Sequence, residues 1–511
     1  MQSADARRRP ADGPVRARLP LRTLLLLIGM GLMLPCYLFT VCNVCLSPWP
    51  LYDRSRVALV LLTAGWMGGL WLALRAAKRH EAFFAKHERR MLAGFALVYL
   101  VIQLLMGCVL RFTPRTDAEQ CITAAKLIVE TGTFGNNERS WVYFTRCTNN
   151  LGYVYILAAI LRFFRMLGLT DWFMQLVLVN SLLFTSGLIA GARVVRRLGG
   201  PVAQTRFLFL VASCLPLLYC TTELYTDSFS IAFPLWILYC ALRVHDADSP
   251  RGVALWAVLF ALVSFLGAQM RFTAVIASIA ALIWLLLGRR ALRAVSAAVA
   301  LVAVMLAGNA AIDAENVRHI AKEDMQTRSL PILHYIAMGL PIHEDEGYGQ
   351  YGDGGWYIFT TSFDDPDERN AALLSEIIDR VYYLRYPNRL LNMMSRKNLS
   401  TFGDGTFMLN EVIEADAPQP DNPVKQVIFA QGKLFPAYYH LCTAAFMAQL
   451  LLACLACVQA IRRRDTGVAA LYIALVGAFI LLSIWETRGR YFFQFELLLL
   501  AAAALVRTEK C

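Results

Sequence analysis

The chain has 511 residues, of which 58% are hydrophobic and only 17% are charged. A soluble protein of this length needs more polar surface to cover its core, so the composition excludes an ordinary soluble enzyme. The net charge of +12 would suggest nucleic-acid binding in a soluble protein. Cytoplasmic loops of membrane proteins also collect lysine and arginine, however, and we expect no nucleic-acid partner.

Apolar runs of about 18 or more residues recur along the sequence, and each is long enough to cross a bilayer as a helix. The first run follows the basic stretch 1–22. It is too long for the hydrophobic part of a secretory signal, so we interpret it as a retained anchor. The predicted spans are 23–45, 57–74, 91–110, 172–192, 205–222, 228–243, 254–269, 273–288, 294–312, 434–460, 467–485 and 491–506.

Clusters of basic residues between these runs predict the orientation, because such clusters stay on the cytoplasmic side. The clusters lie within 75–90, 193–197, 243–251, 289–293 and 462–464. If the apolar segment 151–167 crossed the membrane, every later cluster would be inverted. We therefore expect that segment to be interfacial or re-entrant.

The segment 313–433 is acidic, with 19 Asp and Glu against 11 Lys and Arg, a net charge of −8, whereas the rest of the chain carries +20. That asymmetry is what sorting of positive charge to the inside predicts. Helix signals occur at 313–328, 366–385 and 388–399, around an irregular Gly- and aromatic-rich loop at 347–356. The segment is expected to form a small, mostly helical outer domain.

The predicted fold class is thus an all-α polytopic membrane protein with about 12 transmembrane helices and additional interfacial helices. We expect it in the plasma membrane, crossing many times. The predicted organisation is a basic cytoplasmic N-terminus (1–22), a transmembrane core with outer loop 111–171 (23–312), an extracytoplasmic domain (313–433) and C-terminal transmembrane helices (434–511).

Two cysteine pairs stand out. Cys121 and Cys147 lie in the polar outer loop, where a disulfide and two free thiols are both compatible with the sequence. Cys42 and Cys45 form a CxxC at the end of a membrane run, but no second pair accompanies it, and we expect no metal there.

The first outer loop supplies the main candidate for chemistry. Asp117 lies a few residues beyond a predicted span and could act as a general base; alternatively, it could cap a helix over 118–131. Further candidates in this loop, for contacts with an acceptor, are Glu119, Arg146, Asn149 and Asn150.

A second acidic turn contains Glu223 and Asp227, four residues apart and able to share one helix face. Carboxylate oxygens of this kind can bind a divalent metal ion. The alternative is an ordinary helix start with interfacial acids.

Tight outer turns also carry arginines. Arg271, Arg488 and Arg490 lie so close to hydrocarbon that their charges need partners. They mark either structural ion pairs or a phosphate-binding site. His334 and Lys397 of the outer segment are added to the phosphate-binding candidates.

With these motifs, the sequence resembles the GT-C superfamily of membrane glycosyltransferases. Within it, the sequence is most similar to bacterial relatives of the protein O-mannosyltransferase and aminoarabinose transferase families. The resemblance covers roughly 91–310 and, more weakly, 434–506. It depends on the Asp117 loop, Asn149-Asn150-Leu151-Gly152, and the turns 223–227 and 486–491. Ala118 separates Asp117 from Glu119, where many relatives have adjacent acids.

The resemblance implies an inverting transfer of a sugar from a polyprenyl-phosphate donor to a glycan, lipid or protein acceptor of the cell envelope. It implies that Asp117 is the catalytic aspartate on the extracytoplasmic face and that Asp227 matches a second acidic position, which in some members helps to bind a metal. Membrane lipid is a further expected partner. Two other classes stay open: a transporter or flippase for envelope glycan precursors, and a non-catalytic assembly protein.

Overall fold

The computed structural model describes residues 20–47, 55–288, 290–342, 346–410 and 421–508. Most of the predicted basic N-terminus and Arg289 lie outside these ranges. Helices and short turns are the regular elements of the described part. The predicted all-α class is confirmed.

The helices are numbered in chain order. They are α1 (Leu21–Gly31), α2 (Met33–Leu46), α3 (Arg56–Arg79), α4 (Glu81–Val109), α5 (Thr116–Thr131), α6 (Glu138–Arg146), α7 (Leu151–Met166), α8 (Trp172–Ser213), α9 (Thr226–Ser230), α10 (Phe233–Asp246), α11 (Pro250–Met270), α12 (Val275–Leu287), α13 (Ala291–Asn316), α14 (Lys322–Arg328), α15 (Ile332–Met338), α16 (Trp356–Thr361), α17 (Pro366–Leu384), α18 (Pro387–Phe402), α19 (Pro423–Ile428), α20 (Phe435–Arg462), α21 (Ala469–Ile484), α22 (Arg490–Phe493) and α23 (Glu496–Ala504).

Among the described residues, nine helical segments are long and apolar enough to cross a bilayer, so the predicted count of about 12 is not confirmed. The segment Phe272–Leu287 is apolar but shorter. The predicted span 491–506 is divided between α22 and α23. The nine are Leu21–Leu46, Arg56–Arg79, Glu81–Val109, Trp172–Ser213, Thr226–Asp246, Pro250–Met270, Ala291–Asn316, Phe435–Arg462 and Thr466–Ile484.

Helix α8 contains a sharp reversal at Gly200, whose φ of +80° lies in the left-handed region that glycine tolerates. A Cβ placed on Gly191 would lie 2.7 Å from the ring of Phe207. In a straight helix these residues would be about 24 Å apart. The two arms of α8 therefore pack side by side. They correspond to the two separate runs that the sequence predicted here, 172–192 and 205–222.

The basic clusters and the candidate site lie at opposite ends of the bundle. At one end Arg196 pairs with Glu88 at 2.7 Å, and Arg197 pairs with Asp246. Helix α4 leads from Glu88 to the other end, about 30 Å away, where Arg111 is followed by the Asp117 loop. We call this second end the site end; that it faces outward stays a prediction.

Helix α7 is held to the site end at both of its termini. Asn150, just before it, donates a hydrogen bond to the Tyr225 hydroxyl at 3.2 Å. Near its other terminus, Arg165 donates to the Val129 carbonyl at 2.8 Å, and Asp171, just before α8, pairs with Arg111 of the site end at 2.8 Å. This placement supports the prediction that segment 151–167 does not cross.

The segment 313–433, called the outer segment after its predicted side, has small apolar cores of its own, one of which contains Met338, Trp356 and Leu373. It is nevertheless continuous with the bundle. Phe402, at the end of α18, packs its ring against Tyr37 and Phe479, each with a centroid distance of 6.0 Å. Through α18 the outer segment is anchored among membrane helices.

Candidate functional site

Asp117 lies in the first turn of α5, which begins at Thr116 with Arg115 at its N-cap position. The interpretation of Asp117 as the cap of this helix is therefore wrong. Thr116 has a φ of +56°, a strained conformation for a β-branched residue. The strain sits directly before Asp117, and such outliers cluster at functional sites.

The Asp117 side chain is the accessible carboxylate of the site, with 41% of its surface exposed. Its Oδ2 accepts a hydrogen bond from the Tyr225 hydroxyl at 3.4 Å, and Arg490 Nη2 lies 4.0 Å from the same oxygen. Asp117 is thus oriented by two neighbours and still open to a ligand.

Asp227 is fully buried and faces two arginines. Arg271 forms an ion pair with its Oδ1 and also donates to the Thr226 hydroxyl at 3.3 Å. Arg490 Nε lies 3.5 Å from its Oδ2. Arg490 therefore lies between the first outer loop and the second acidic turn, within 4.0 Å of a carboxylate from each.

Tyrosine rings hold both guanidinium groups. Arg271 lies 4.4 Å from the centroid of the Tyr491 ring, and Arg490 lies 5.4 Å from that of Tyr225. Cation–π contacts of this kind stabilise the arginines without using their hydrogen-bond donors.

Glu223 is also buried, and its Oε2 accepts from the Ser228 backbone N–H at 3.0 Å. Burial, and then the charge of Asp227, raise its pKa to about 8. Within the described residues, no group of three or more His, Cys, Asp or Glu could hold a metal ion. Because Asp227 faces two guanidinium cations, Glu223 and Asp227 do not fit the predicted metal site.

Glu486 and Lys397 are buried next to the turn that carries Arg488 and Arg490. Burial raises the pKa of Glu486, while hydrogen bonding to Tyr491 and the charge of Arg490 oppose that rise. Lys397 donates from Nζ to the carbonyl of Trp485 at 2.6 Å and to that of Gly339. Burial lowers its pKa to about 7. Lys397 thus fastens α18 to the turn 485–490 and is not presented to a ligand.

The same turn is tied to the irregular loop of the outer segment. The Thr487 backbone N–H donates to the Gly349 carbonyl at 2.9 Å, and its hydroxyl donates to the Tyr348 carbonyl at 2.7 Å. Arg488 lies in this turn and is half-buried. The outer segment therefore helps to position the arginines.

Of the other first-loop candidates, Asn150 is brought to the site. It donates to Tyr225 and to the Tyr143 hydroxyl, the latter at 2.8 Å, while Asn149 donates to Asn150. Arg146 donates to the Tyr357 hydroxyl of the outer segment.

Two candidates point elsewhere. Glu119 faces Arg139 at 3.8 Å on the surface. His334 is buried in the outer segment, with its Nδ1 2.7 Å from the Thr360 hydroxyl. Burial lowers the pKa of His334 to about 4. The structure does not bring either residue to Asp117.

The cysteines of the first loop are free thiols, so the disulfide alternative is wrong for Cys121 and Cys147. Cys42 and Cys45 are also free.

Sequence reasoning missed the tyrosines and the role of Glu486. Tyr225 lies between the two acids of its turn, and Tyr491 follows Arg490, so an aromatic residue adjacent to each charged motif was the available signal. The contacts of the two tyrosines with Asp117, Arg271 and Arg490 join positions more than 100 residues apart and need the fold.

A cavity of about 370 Å³ lies at the opposite end of the bundle, lined by residues that include Arg22, Leu287 and Thr466. It is separate from the Asp117 site.

A family profile described as "Conserved hypothetical integral membrane protein" matches residues 54–510. The chain belongs to this family. It is therefore an integral membrane protein with multiple membrane helices, as the sequence predicted. A search of curated proteins finds no match.

Two solved structures are similar to the chain. One is the oligosaccharyltransferase AglB from Archaeoglobus fulgidus, in complex with an inhibitory peptide and a dolichol-phosphate, at 15% identity and a TM-score of 0.41. The match covers 80% of this chain and 50% of that one, so this chain spans about half of AglB. The other is ArnT from Cupriavidus metallidurans bound to undecaprenyl phosphate, at 13% identity, a TM-score of 0.35 and coverages of 82% and 78%. At these identities and TM-scores, neither likeness carries a conclusion about this chain.

Proposed function

We propose that the chain is a membrane glycosyltransferase that moves a sugar from a polyprenyl-phosphate donor to a cell-envelope acceptor on the extracytoplasmic face, with inversion. One observation carries the proposal: the accessible carboxylate of Asp117 lies 4.0 Å from Arg490, which also lies 3.5 Å from the buried Asp227. The accessible carboxylate of Asp117 can act as a base, and it lies beside an arginine that the buried Asp227 holds in place.

The cationic half of the site suits a phosphate leaving group. Arginine presents a planar fork that binds phosphate through two parallel hydrogen bonds. Asp227 holds Arg271 and Arg490 before any ligand arrives, so little reorganisation is needed when negative charge develops on the departing phosphate.

The carboxylate half suits activation of an acceptor hydroxyl. Asp117 takes the hydroxyl proton while the acceptor oxygen bonds to the anomeric carbon of the sugar. The bond from that carbon to the phosphate oxygen breaks on the opposite face, and its electrons leave with the polyprenyl phosphate beside Arg490. Attack and departure on opposite faces invert the anomeric configuration, and Asp117 then returns its proton to water.

Because Glu223 and Asp227 do not fit a metal site, we derive no step through a divalent ion. In this proposal the two arginines supply the positive charge next to the phosphate.

The test uses the purified full-length chain with a panel of radiolabelled polyprenyl-phosphate sugars and cell-envelope fractions. Asp117→Asn should lower transfer by about 10²- to 10⁴-fold, the usual contribution of a general base. Asp171→Asn is the matched control, because Asp171 is a carboxylate of the same loop that pairs with Arg111 at the surface. Near-normal transfer by Asp117→Asn would sink the assignment. Substrate flux across proteoliposomes without any donor lipid would instead favour a transporter.

A further inference from the structure

Helix α17 exposes an apolar stripe on the side opposite to the one that packs in the apolar cores of the outer segment. The stripe comprises Leu374, Ile378, Val381 and Tyr382, with 49%, 58%, 56% and 65% of their surfaces exposed. Positions i, i+4, i+7 and i+8 share one face of a helix. The buried residues of α17, which include Leu373, lie on another face.

The stripe continues across the Tyr386-Pro387 turn into α18. Tyr386, Leu390 and Leu391 are 43%, 40% and 55% exposed. We call the seven residues of the two helices the apolar elbow. A contiguous exposed apolar surface of this kind marks an interaction site.

The elbow lies level with the end of a membrane span. Helices α18 and α2 run antiparallel, because Asn398 donates to the Thr40 hydroxyl at 2.8 Å and Asn43 donates to the Ser395 carbonyl at 2.9 Å. Following α18 back by one turn from Ser395 reaches Leu391, at the level where α2 ends at Leu46. Leu46 belongs to the candidate span Leu21–Leu46 and is 63% exposed. The elbow is thus continuous with the lipid-facing surface of that span.

Arginines border the elbow, and their guanidinium groups lie against tyrosine rings. The Arg385 guanidinium lies 3.4 Å from the centroid of the Tyr382 ring and 4.4 Å from that of Tyr386, and Arg389 lies 4.1 Å from that of Tyr383. Tyrosine is enriched at the membrane interface, and arginine beside it reaches lipid phosphates. The acidic Asp379 lies about 100° around the helix from Ile378.

We propose that the apolar elbow inserts into the phospholipid leaflet at the site end, with its apolar side chains among the upper acyl chains and Arg385 and Arg389 at the phosphates. We assign the leaflet as the partner because the elbow continues the lipid-facing surface of α2. Its neighbours Arg385 and Arg389 also carry a positive charge, opposite to that of the lipid phosphates. This docking is a property of the surface and does not depend on the proposed glycosyl transfer.

The experiment places the photocrosslinker p-benzoylphenylalanine at Ile378 or, as the control on the same helix, at Asp379. The full-length chain is reconstituted in vesicles of phosphatidylethanolamine and phosphatidylglycerol, irradiated and analysed for lipid adducts by mass spectrometry. We expect lipid adducts at position 378 several-fold more abundant than at 379. Equal yields at the two positions would overturn the proposal. So would crosslinks at 378 mainly to a second copy of the chain or to another protein.

A second variant tests the arginines. Replacing both by glutamine (Arg385→Gln with Arg389→Gln) should lower adducts with phosphatidylglycerol at position 378 and leave those with phosphatidylethanolamine largely unchanged. An unchanged ratio of the two adducts would contradict the role of the guanidinium groups.

Discussion

At the residue scale, Arg490 is the side chain that makes one site out of separate sequence motifs. Its Nη2 and Nε lie 4.0 Å and 3.5 Å from the carboxylates of Asp117 and Asp227. The two acids come from segments 110 residues apart, and a planar group is needed to reach both.

Arg490→Lys should lower kcat/KM at least about tenfold, because a single ammonium cannot span both carboxylates and bind phosphate as a fork does. Initial rates of sugar transfer measure the effect. Arg111→Lys is the matched control, since Arg111 forms an exposed pair with Asp171 and such pairs contribute little. Equal rates for the two variants would contradict the role of Arg490.

His334 gives a prediction for stability. Its folded pKa of about 4 lies below the unfolded value of about 6.5. Between these values only the unfolded state binds the proton, so stability is lost as the pH falls through this window, by about 2 kcal/mol between pH 7 and pH 5.

His334→Gln cannot titrate there and should lose less stability on acidification than the wild type. Thermal unfolding in detergent at the two pH values measures the difference, with the exposed His80→Gln as control. A parallel fall in Tm for wild type and His334→Gln would contradict the assignment of a buried neutral imidazole.

At the element scale, a strained loop supports the arginine turn. Phe407 and Met408 are consecutive non-glycine residues with φ of +57° and +53°. Met408 Sδ accepts a hydrogen bond from the Gly489 backbone N–H at 3.2 Å. Strain of this kind persists only where the surroundings enforce it, and here it lies against the residue before Arg490.

Met408→Leu keeps the side-chain volume but removes the sulfur acceptor. We expect a lower kcat with little change in the amount of membrane-inserted protein, because Gly489 loses a partner and the arginines shift. Met106→Leu, in α4 and away from the turn, serves as control. If Met408→Leu keeps the wild-type kcat, the loop does not position the turn.

At the scale of the whole molecule, the sequence predicted the helical class, the membrane helices and the separation of basic clusters from the Asp117 end. These features follow from hydropathy and charge alone. The span count was not confirmed, because the reversal at Gly200 makes two arms within one helical segment, the segment Phe272–Leu287 is shorter than a span, and the C-terminal run is divided after Phe493.

The site was predicted in part. Asp117, Asp227, Arg271 and Arg490 do meet, since tight turns at one end of a bundle come together. Lys397 resembled a ligand-binding cation in sequence, and only its burial against two carbonyl groups shows a supporting position. The tertiary packing decides which charged side chains form pairs, and a local sequence pattern cannot predict that packing.

The central claim is that different residues of one site do the two tasks: Asp117 acts as the general base, and Arg490 and Arg271 bind the lipid phosphate. The most direct measurement is the affinity of the purified chain and its variants for undecaprenyl phosphate, read by native mass spectrometry beside the transfer assay. We predict that Asp117→Asn keeps the wild-type affinity while losing transfer, and that Arg490→Gln weakens binding at least about tenfold, since hydrogen bonds to charged groups contribute about 1.5–3 kcal/mol. Unchanged affinity in Arg490→Gln, or a loss of binding in Asp117→Asn as large as its loss of transfer, would contradict this account.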